Sequence, residues 1–488
     1  MTERPDGPQP AAGLAGGAGF GATPVGRQAA FRAGFVWVAL AVAVFGGFGL
    51  AAHLSFVIGF GYPLGPALPA LLQAHGHAQL VGWAGMFVVG VSLHFIPRLA
   101  SVPLTHPHWI DAILWVMAFG LTLRLVGQPA LAYGAGLVPL DLLRWFVVAS
   151  GALEGVGVLL YLLLVLGSVR GTGDIRTQPA FGAVRPFFGM MVVGWLLYAS
   201  ANFVGLWDMG LRGRAVANPI WNAFAVQSFV DLTLLPVAMA FSVRLLPMFL
   251  ALSAAFWPVR GTAYAYLVGV CLQLTPPALA PFGLDGRVSD LIGGCGGLAK
   301  GGVILWFVWQ LDLLTRRRPV ERPARFLQIG PARPPTRPGL PDFGEFGRFE
   351  LLVYSAYLWL VGAALCEVVN GAATLLNGSV AVGPGVVQHM YLLGFITLLI
   401  FGVSVRMLPG FANRRAVAVP ALVLPTLWLG NAAALFRVAP LILPAAVNEL
   451  MPAVGKLAQR AFGLSGLLAL AAVICLSINL VWTMRSRG

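Results

Sequence analysis

Charge is scarce in this chain. Charged side chains make up 10% of its 488 residues and hydrophobic ones 58%. No soluble domain of this length has that balance, so the chain reads as a polytopic membrane protein in contact with the lipid bilayer. Lysine is almost absent, and the net charge of +14 is carried by arginine. A basic excess on a soluble protein would point to nucleic acid. Here the arginines stand in short loops between apolar runs, where the positive-inside rule accounts for them, and no nucleic-acid partner is expected. Four cysteines (Cys271, Cys295, Cys366 and Cys475) all lie in apolar runs, without a C-x-x-C pair. That excludes a disulfide framework and a thiolate metal site. No nucleotide-binding loop or hydrolytic triad motif is present, which excludes transport energised by this chain alone. The first 30 residues are rich in Gly, Ala and Pro and lack the apolar core of a signal peptide. They read as a disordered cytoplasmic tail.

About 20 apolar residues cross a bilayer as a helix. On that measure the spans run from 31–59, 72–97, 109–128, 143–169, 185–206, 219–250, 261–282, 290–314, 349–375, 386–409, 417–436 and 458–483. Arginines cluster after the even spans, as with Arg98, Arg170, Arg260, Arg316, Arg414 and Arg485, whereas the 60–71 and 370–385 loops have no Lys or Arg. This bias places both termini in the cytoplasm, and the setting reads as a bacterial inner membrane. Arg212, Arg214, Arg287, Arg437 and Lys456 run against the bias. The Arg- and Pro-rich stretch 315–347 reads as a cytoplasmic linker.

One pattern is written three times. The first copy is His77-Ala-Gln-Leu-Val-Gly82 followed by Gly90, Ser92, His94 and Pro97. The last is His389-Met-Tyr-Leu-Leu-Gly394 followed by Gly402, Ser404, Arg406 and Pro409. In both, the His stands 20 residues before the Pro. The middle copy has Gln227 in place of the His, then Ser242, Arg244 and Pro247. The fold class is therefore all-α: twelve transmembrane helices in three four-helix pseudo-repeats, at 31–184, 185–314 and 348–488. The pattern falls on the second helix of each unit. Parallel repeats of this kind are related by an axis along the membrane normal.

Intramembrane ionisable residues are costly and point to function. His77 and His389 sit at one depth on related helices, and neutral imidazole is a ligand for haem iron or copper. Gly82 and Gly394 would let a flat macrocycle approach; close packing of helices explains the same glycines. Hydrogen bonding within the bundle likewise explains the histidines. His75 points about 200° away from His77 on a helix, toward a second metal or the aqueous rim. His53, Asn202 and Glu367 approach the same level from the first helix of each unit and could orient the imidazoles. Asp231 stands one turn after Gln227, and Glu154 is a second acid, in span 4. Either could belong to a polar or proton pathway, although Glu154 reads first as a paired structural acid. His94, Arg244 and Arg406 read as interface anchors, and His106 and His108 as solvated loop residues. No histidine occurs between His108 and His389.

Twelve spans, threefold four-helix units and histidines on spans 2 and 10 together resemble subunit I of the haem–copper oxidases. The resemblance implies a low-spin haem held by the span-2 and span-10 histidines. It also implies that a copper site would need histidines on spans 6 and 7, where this chain has Gln227 and Asp231. The family's His-x-His on span 10 is reduced to His389, so a complete oxygen- or nitric-oxide-reducing centre is not expected. His75-Gly-His77-Ala-Gln-Leu-Val-Gly82 further resembles the His-x-His-Glu-Met-x-x-Gly motif of the NnrS family, membrane haem- and copper-containing proteins linked to nitric-oxide metabolism. Ala78 and Gln79 replace its Glu and Met. His389, Gly394 and Arg406 echo that family's late motif, with Leu392 in place of Thr.

The expected function is a haem-binding, and on the resemblance copper-binding, membrane protein with a redox, sensing or nitric-oxide-related role and a redox partner protein. The alternative is a transporter or channel with a polar intramembrane pathway through Asp231, Glu154, Glu367 and the histidines.

Overall fold

The computed structural model describes residues 30–134, 138–170, 172, 178–253, 257–318, 344–443 and 450–485. The expected tail, apart from residue 30, and most of the expected linker lie outside these residues. Among them the chain is all-helical, with no strand. Twelve long helices occur in order: α1 Gly34–Gly59, α2 Leu68–Leu99, α3 Trp109–Tyr133, α4 Leu140–Val169, α5 Pro179–Arg212 and α6 Pro219–Leu250, then α7 Val259–Leu279, α8 Gly286–Leu311, α9 Phe349–Asn377, α10 Pro384–Phe411, α11 Pro420–Ile442 and α12 Pro452–Arg485. Eleven of them are long and apolar enough to cross a membrane; α7, at 21 residues, carries Pro276 and Pro277 in its last turn.

The helices outlast the apolar runs at several ends. α5 continues to Arg212, whose guanidinium is held by Asp208 one turn earlier, and stops at Gly213 in the left-handed conformation (φ 62°) that glycine adopts without a Cβ penalty. Asn218 and Asp285 cap α6 and α8 by accepting backbone N–H groups of the first turn, as side-chain oxygens at N-caps do.

Three helices form the interior. In their most apolar windows, α2, α6 and α10 are 83%, 89% and 78% buried, against 39–44% for the other candidate spans. Their C-terminal ends meet one another through rings: Phe95 on Phe241 (4.6 Å), the Arg406 guanidinium over Phe249 (4.9 Å), and His94 on Phe411 (4.0 Å). His94 and Arg406 therefore cover aromatic faces at that end, while Arg244 is exposed. The remaining helices surround this trio, with α4 packed on α5, α8 on α9 and α12 on α1. The last contact closes the bundle: the Ser55 hydroxyl donates to Gly463 O (3.1 Å) and accepts the Gly466 N–H (3.2 Å). Small residues allow backbones to approach in this way inside a bilayer.

Each central helix contains a widened π-helical stretch: Ala78–Gly85 directly after His77, Val230–Leu234 spanning Asp231, and Met390–Thr397 directly after His389. A fourth, Ala43–Gly47, interrupts α1. π turns are rare in helices and shift the side-chain register of the residues beyond them. They are the feature of this fold that the sequence pattern did not reveal.

The glycines of the repeated pattern serve packing. A Cβ on Gly82 would meet Val42 of α1 and one on Gly394 would meet Trp359 of α9, each closer than carbon atoms approach. Gly90 takes Phe35, and Gly402 takes Leu352 and Val353. Of the two readings of Gly82 and Gly394, close helix packing is the one these contacts support: both receive a neighbouring helix. In the middle third the complementarity is reversed, for Leu232 and Thr233 of α6 pack onto Gly194 of α5.

Candidate functional site

Three of the polar groupings around the central trio hold the residues singled out in the sequence. The first joins α2, α4 and α5. Glu154 accepts from His77 Nε2 (3.0 Å) and from Asn202 Nδ2 (3.4 Å), and the Tyr198 hydroxyl lies 2.8 Å from His77 Nδ1. With a carboxylate on Nε2–H, Nδ1 accepts from the tyrosine. Both ring nitrogens of His77 are thus engaged, and neither lone pair is offered to a cofactor. His77 is 4% exposed and does not line the cavity that His389 faces.

The second joins α6, α7, α8 and α9. Lys300 Nζ lies 3.2 Å from Asp231 Oδ2 and 2.6 Å from Glu367 Oε1, and Gln273 Nε2 donates to Glu367 Oε2 (2.5 Å). Gln227 lies one turn before Asp231, within reach of its carboxylate. Lys300 escaped the sequence reading, although a lysine in an apolar run of a nearly lysine-free chain was a visible signal.

The third is a cavity of about 320 Å³ bounded by α1, α2, α6, α10, α11 and α12. Its wall is mostly apolar, with Phe48, Leu80, Trp83, Leu393 and Ile396 among the lining side chains. Two imidazoles enter it, His75 from α2 and His389 from α10, together with Arg437 from α11. His75 Nδ1 donates to Gly47 O (3.0 Å), at the end of the π turn in α1 where the regular ladder is interrupted. His389 Nδ1 donates to Gly385 O (2.5 Å). A carbonyl only accepts, so both rings carry their proton on Nδ1 and present the Nε2 lone pair. At His389 that lone pair accepts from Arg437 Nε (3.0 Å). The arginine also stacks over Phe462 (4.2 Å).

His75, read as turned toward a second metal or the aqueous rim, shares a cavity with His389, and His77, read as the partner of His389, does not line it. The reason is geometric: residues two apart on a helix face opposite ways, and α10 lies on the His75 side. The polar residues of the first helices are displaced in the same sense. Asn202 donates to Glu154, the partner of His77, and Glu367 pairs with Lys300, each in the preceding third, because α5 packs on α4 and α9 on α8. His53 is exposed and takes no part. Arg437 was seen in the sequence only as an exception to the loop-charge bias.

Among solved structures, the cryo-EM structure of a heme-copper terminal oxidase dimer matches this chain with a TM-score of 0.63 at 13% identity, covering 93% of this chain and 84% of that one. The chain has a haem–copper-oxidase-like fold. At this identity the likeness concerns fold alone. Comparison with protein-family models gives no match, and neither does comparison with curated proteins. The NnrS resemblance thus keeps only its motif residues.

Proposed function

We propose that this chain is a membrane haem-binding protein in which His75 and His389 hold the haem from α2 and α10, with a redox or sensing role. The observation that carries the reading is that the two imidazoles line one mostly apolar cavity and both give Nδ1–H to a backbone carbonyl; the His389 Nε2 lone pair, which accepts from Arg437, would be released to the haem iron when that bond is given up. Metal-ligating histidines are fixed in this way by the partner of the second nitrogen. The donor set fits the group. The backbone carbonyls of Gly47 and Gly385 set the tautomer and ring direction, the apolar wall excludes water, and Arg437 supplies a cation for the acidic edge of a haem. When bound, haem supplies one-electron redox chemistry tuned by its two axial ligands. Held by His75 and His389, a haem would serve electron transfer or sensing rather than turnover of a small molecule.

Copper is left out of the proposal. Among the described residues no group of three or more His, Cys, Asp or Glu converges as a metal site. The region of α6, α7 and α8 holds the Asp231–Lys300–Glu367 cluster instead of histidines. We accordingly propose that the chain alone does not reduce oxygen or nitric oxide. Three four-helix units, 31–184, 185–314 and 348–488, remain our reading of the architecture; the three buried helices α2, α6 and α10, with their π turns, support it.

The direct test is the visible spectrum of the protein purified from haem-replete cells, followed by haem extraction and reconstitution. The reading predicts a low-spin spectrum with one haem per chain. The second reading, a transporter with a polar interior, rests on the ionic cluster and predicts a colourless protein.

A further inference from the structure

The Asp231–Lys300–Glu367 cluster is a separate site from the cavity of His75 and His389, and its charges do not balance. Its three ionisable side chains are only 3%, 2% and 9% exposed. Lys300 lies near the middle of α8 and reaches both Asp231 oxygens at 3.2 Å and Glu367 Oε1 at 2.6 Å. Gln273 occupies the second Glu367 oxygen. The Tyr266 hydroxyl donates to the backbone carbonyl of Asp231 (2.7 Å), while the carboxylate is held by Lys300 and the Gln227 side chain. From α10, Tyr391 sets its ring 5.4 Å from the Lys300 ammonium. Its hydroxyl is buried with no hydrogen-bond partner, as is Gln273 Oε1.

Two carboxylates and one ammonium sum to a single negative charge. The other groups that act on the cluster are Gln227, Tyr266, Tyr391 and Cys366. The amide carries no charge, and the phenols and the thiol are neutral at pH 7 by their ordinary values. An uncompensated charge in a low-dielectric interior costs several kcal/mol, and such a group neutralises itself instead. Two carboxylates competing for one cation relieve their repulsion by sharing a proton.

We propose that this cluster is a proton-binding site: it holds one exchangeable proton between Asp231 and Glu367, with Lys300 as the fixed counter-charge. The balance is simple. One proton bound takes the cluster from a charge of minus one to neutral, and its release restores the negative charge with no bond broken elsewhere. Release is then favoured only when positive charge arrives nearby, which makes the cluster a charge-coupled proton store inside the membrane. The unpartnered Tyr391 hydroxyl and Gln273 Oε1 supply a donor and an acceptor beside the acids for the proton to leave by.

The test is infrared spectroscopy of the purified full chain in ordinary and heavy water at pH 7. The wild type should show a protonated-carboxyl C=O band that shifts on deuteration. In Asp231→Asn or Glu367→Gln the remaining acid pairs with Lys300 at zero net charge, so each substitution should remove one carboxyl's worth of that band. Glu154→Gln and Glu350→Gln, at other buried acids, should leave that component in place. Lys300→Met should raise the cluster's share from one protonated carboxyl to two. A wild-type spectrum without the band overturns the proposal. So does a band that does not shift in heavy water, or one that Asp231→Asn or Glu367→Gln leaves intact.

Discussion

His75 and His389, 314 positions apart in the chain, stand on α2 and α10 and line one cavity, each with Nδ1 bonded to a backbone carbonyl; the His389 Nε2 accepts from Arg437 as well. His77, two residues from His75, has both nitrogens occupied by Glu154 and Tyr198. Of the two α2 imidazoles only His75 lines the cavity that His389 shares.

Glycine packing gives a prediction about stability. Gly82→Leu and Gly394→Leu would drive side chains into Val42 and Trp359, and overpacking of this kind costs about 1–3 kcal/mol. Thermal unfolding of the purified variants should occur at lower temperature than wild type. Gly76→Ala should be silent, since a Cβ there meets nothing within 4 Å. Equal stability of the Gly82 and wild-type proteins would contradict the packing role.

The buried His77–Glu154 pair should be structural. Removing Glu154 leaves the His77 Nε2–H buried without its acceptor, at a cost of about 1–3 kcal/mol. Glu154→Leu should therefore lower stability more than the double change His77→Leu with Glu154→Leu, which removes both polar groups. A double-mutant cycle on unfolding midpoints measures the coupling, and simple additivity would show that the pair does not act as a unit.

Asp312, just beyond α8, predicts a pH dependence. Burial opposes its ionisation, yet the backbone N–H groups of Arg317 and Arg318, the Thr315 hydroxyl and the Arg317 charge hold its carboxyl below the ordinary value of 3.8. A depressed carboxylate stabilises the fold fully above that ordinary value and loses the contribution as pH falls through its lower folded value. Asp312→Asn should destabilise at pH 7, by about 1–3 kcal/mol for lost bonds to a charged acceptor. The gap to wild type should shrink in strong acid; a constant gap across pH would contradict this.

Loop charge gives a topological prediction. Reporter fusions at residue 330 and at the C-terminus should both report cytoplasm, because arginines follow the even spans. A periplasmic signal from either would reverse the orientation.

Much of the fold was legible because lipid imposes a simple rule: runs of about 20 apolar residues become helices. The repeated His–Gly–Ser–Pro pattern also picked out α2, α6 and α10, the three helices that are most buried. Three things were hidden. The face that α2 turns to α10 depends on helix packing, so the choice between His75 and His77 could not be made from spacing. The π turns, which bring Gly47 O to His75, leave no periodic mark in an apolar run. The pairing of Asn202 and Glu367 with the preceding third arises from contacts between α4 and α5 and between α8 and α9, which join residues far apart in the chain.

The most direct measurement is the visible spectrum of three histidine variants beside wild type, all purified from haem-replete cells. The account predicts a low-spin haem spectrum in wild type and in His77→Ala, and its loss in His75→Ala and His389→Ala. A colourless wild type, or a spectrum lost in His77→Ala and kept in His75→Ala, would contradict it.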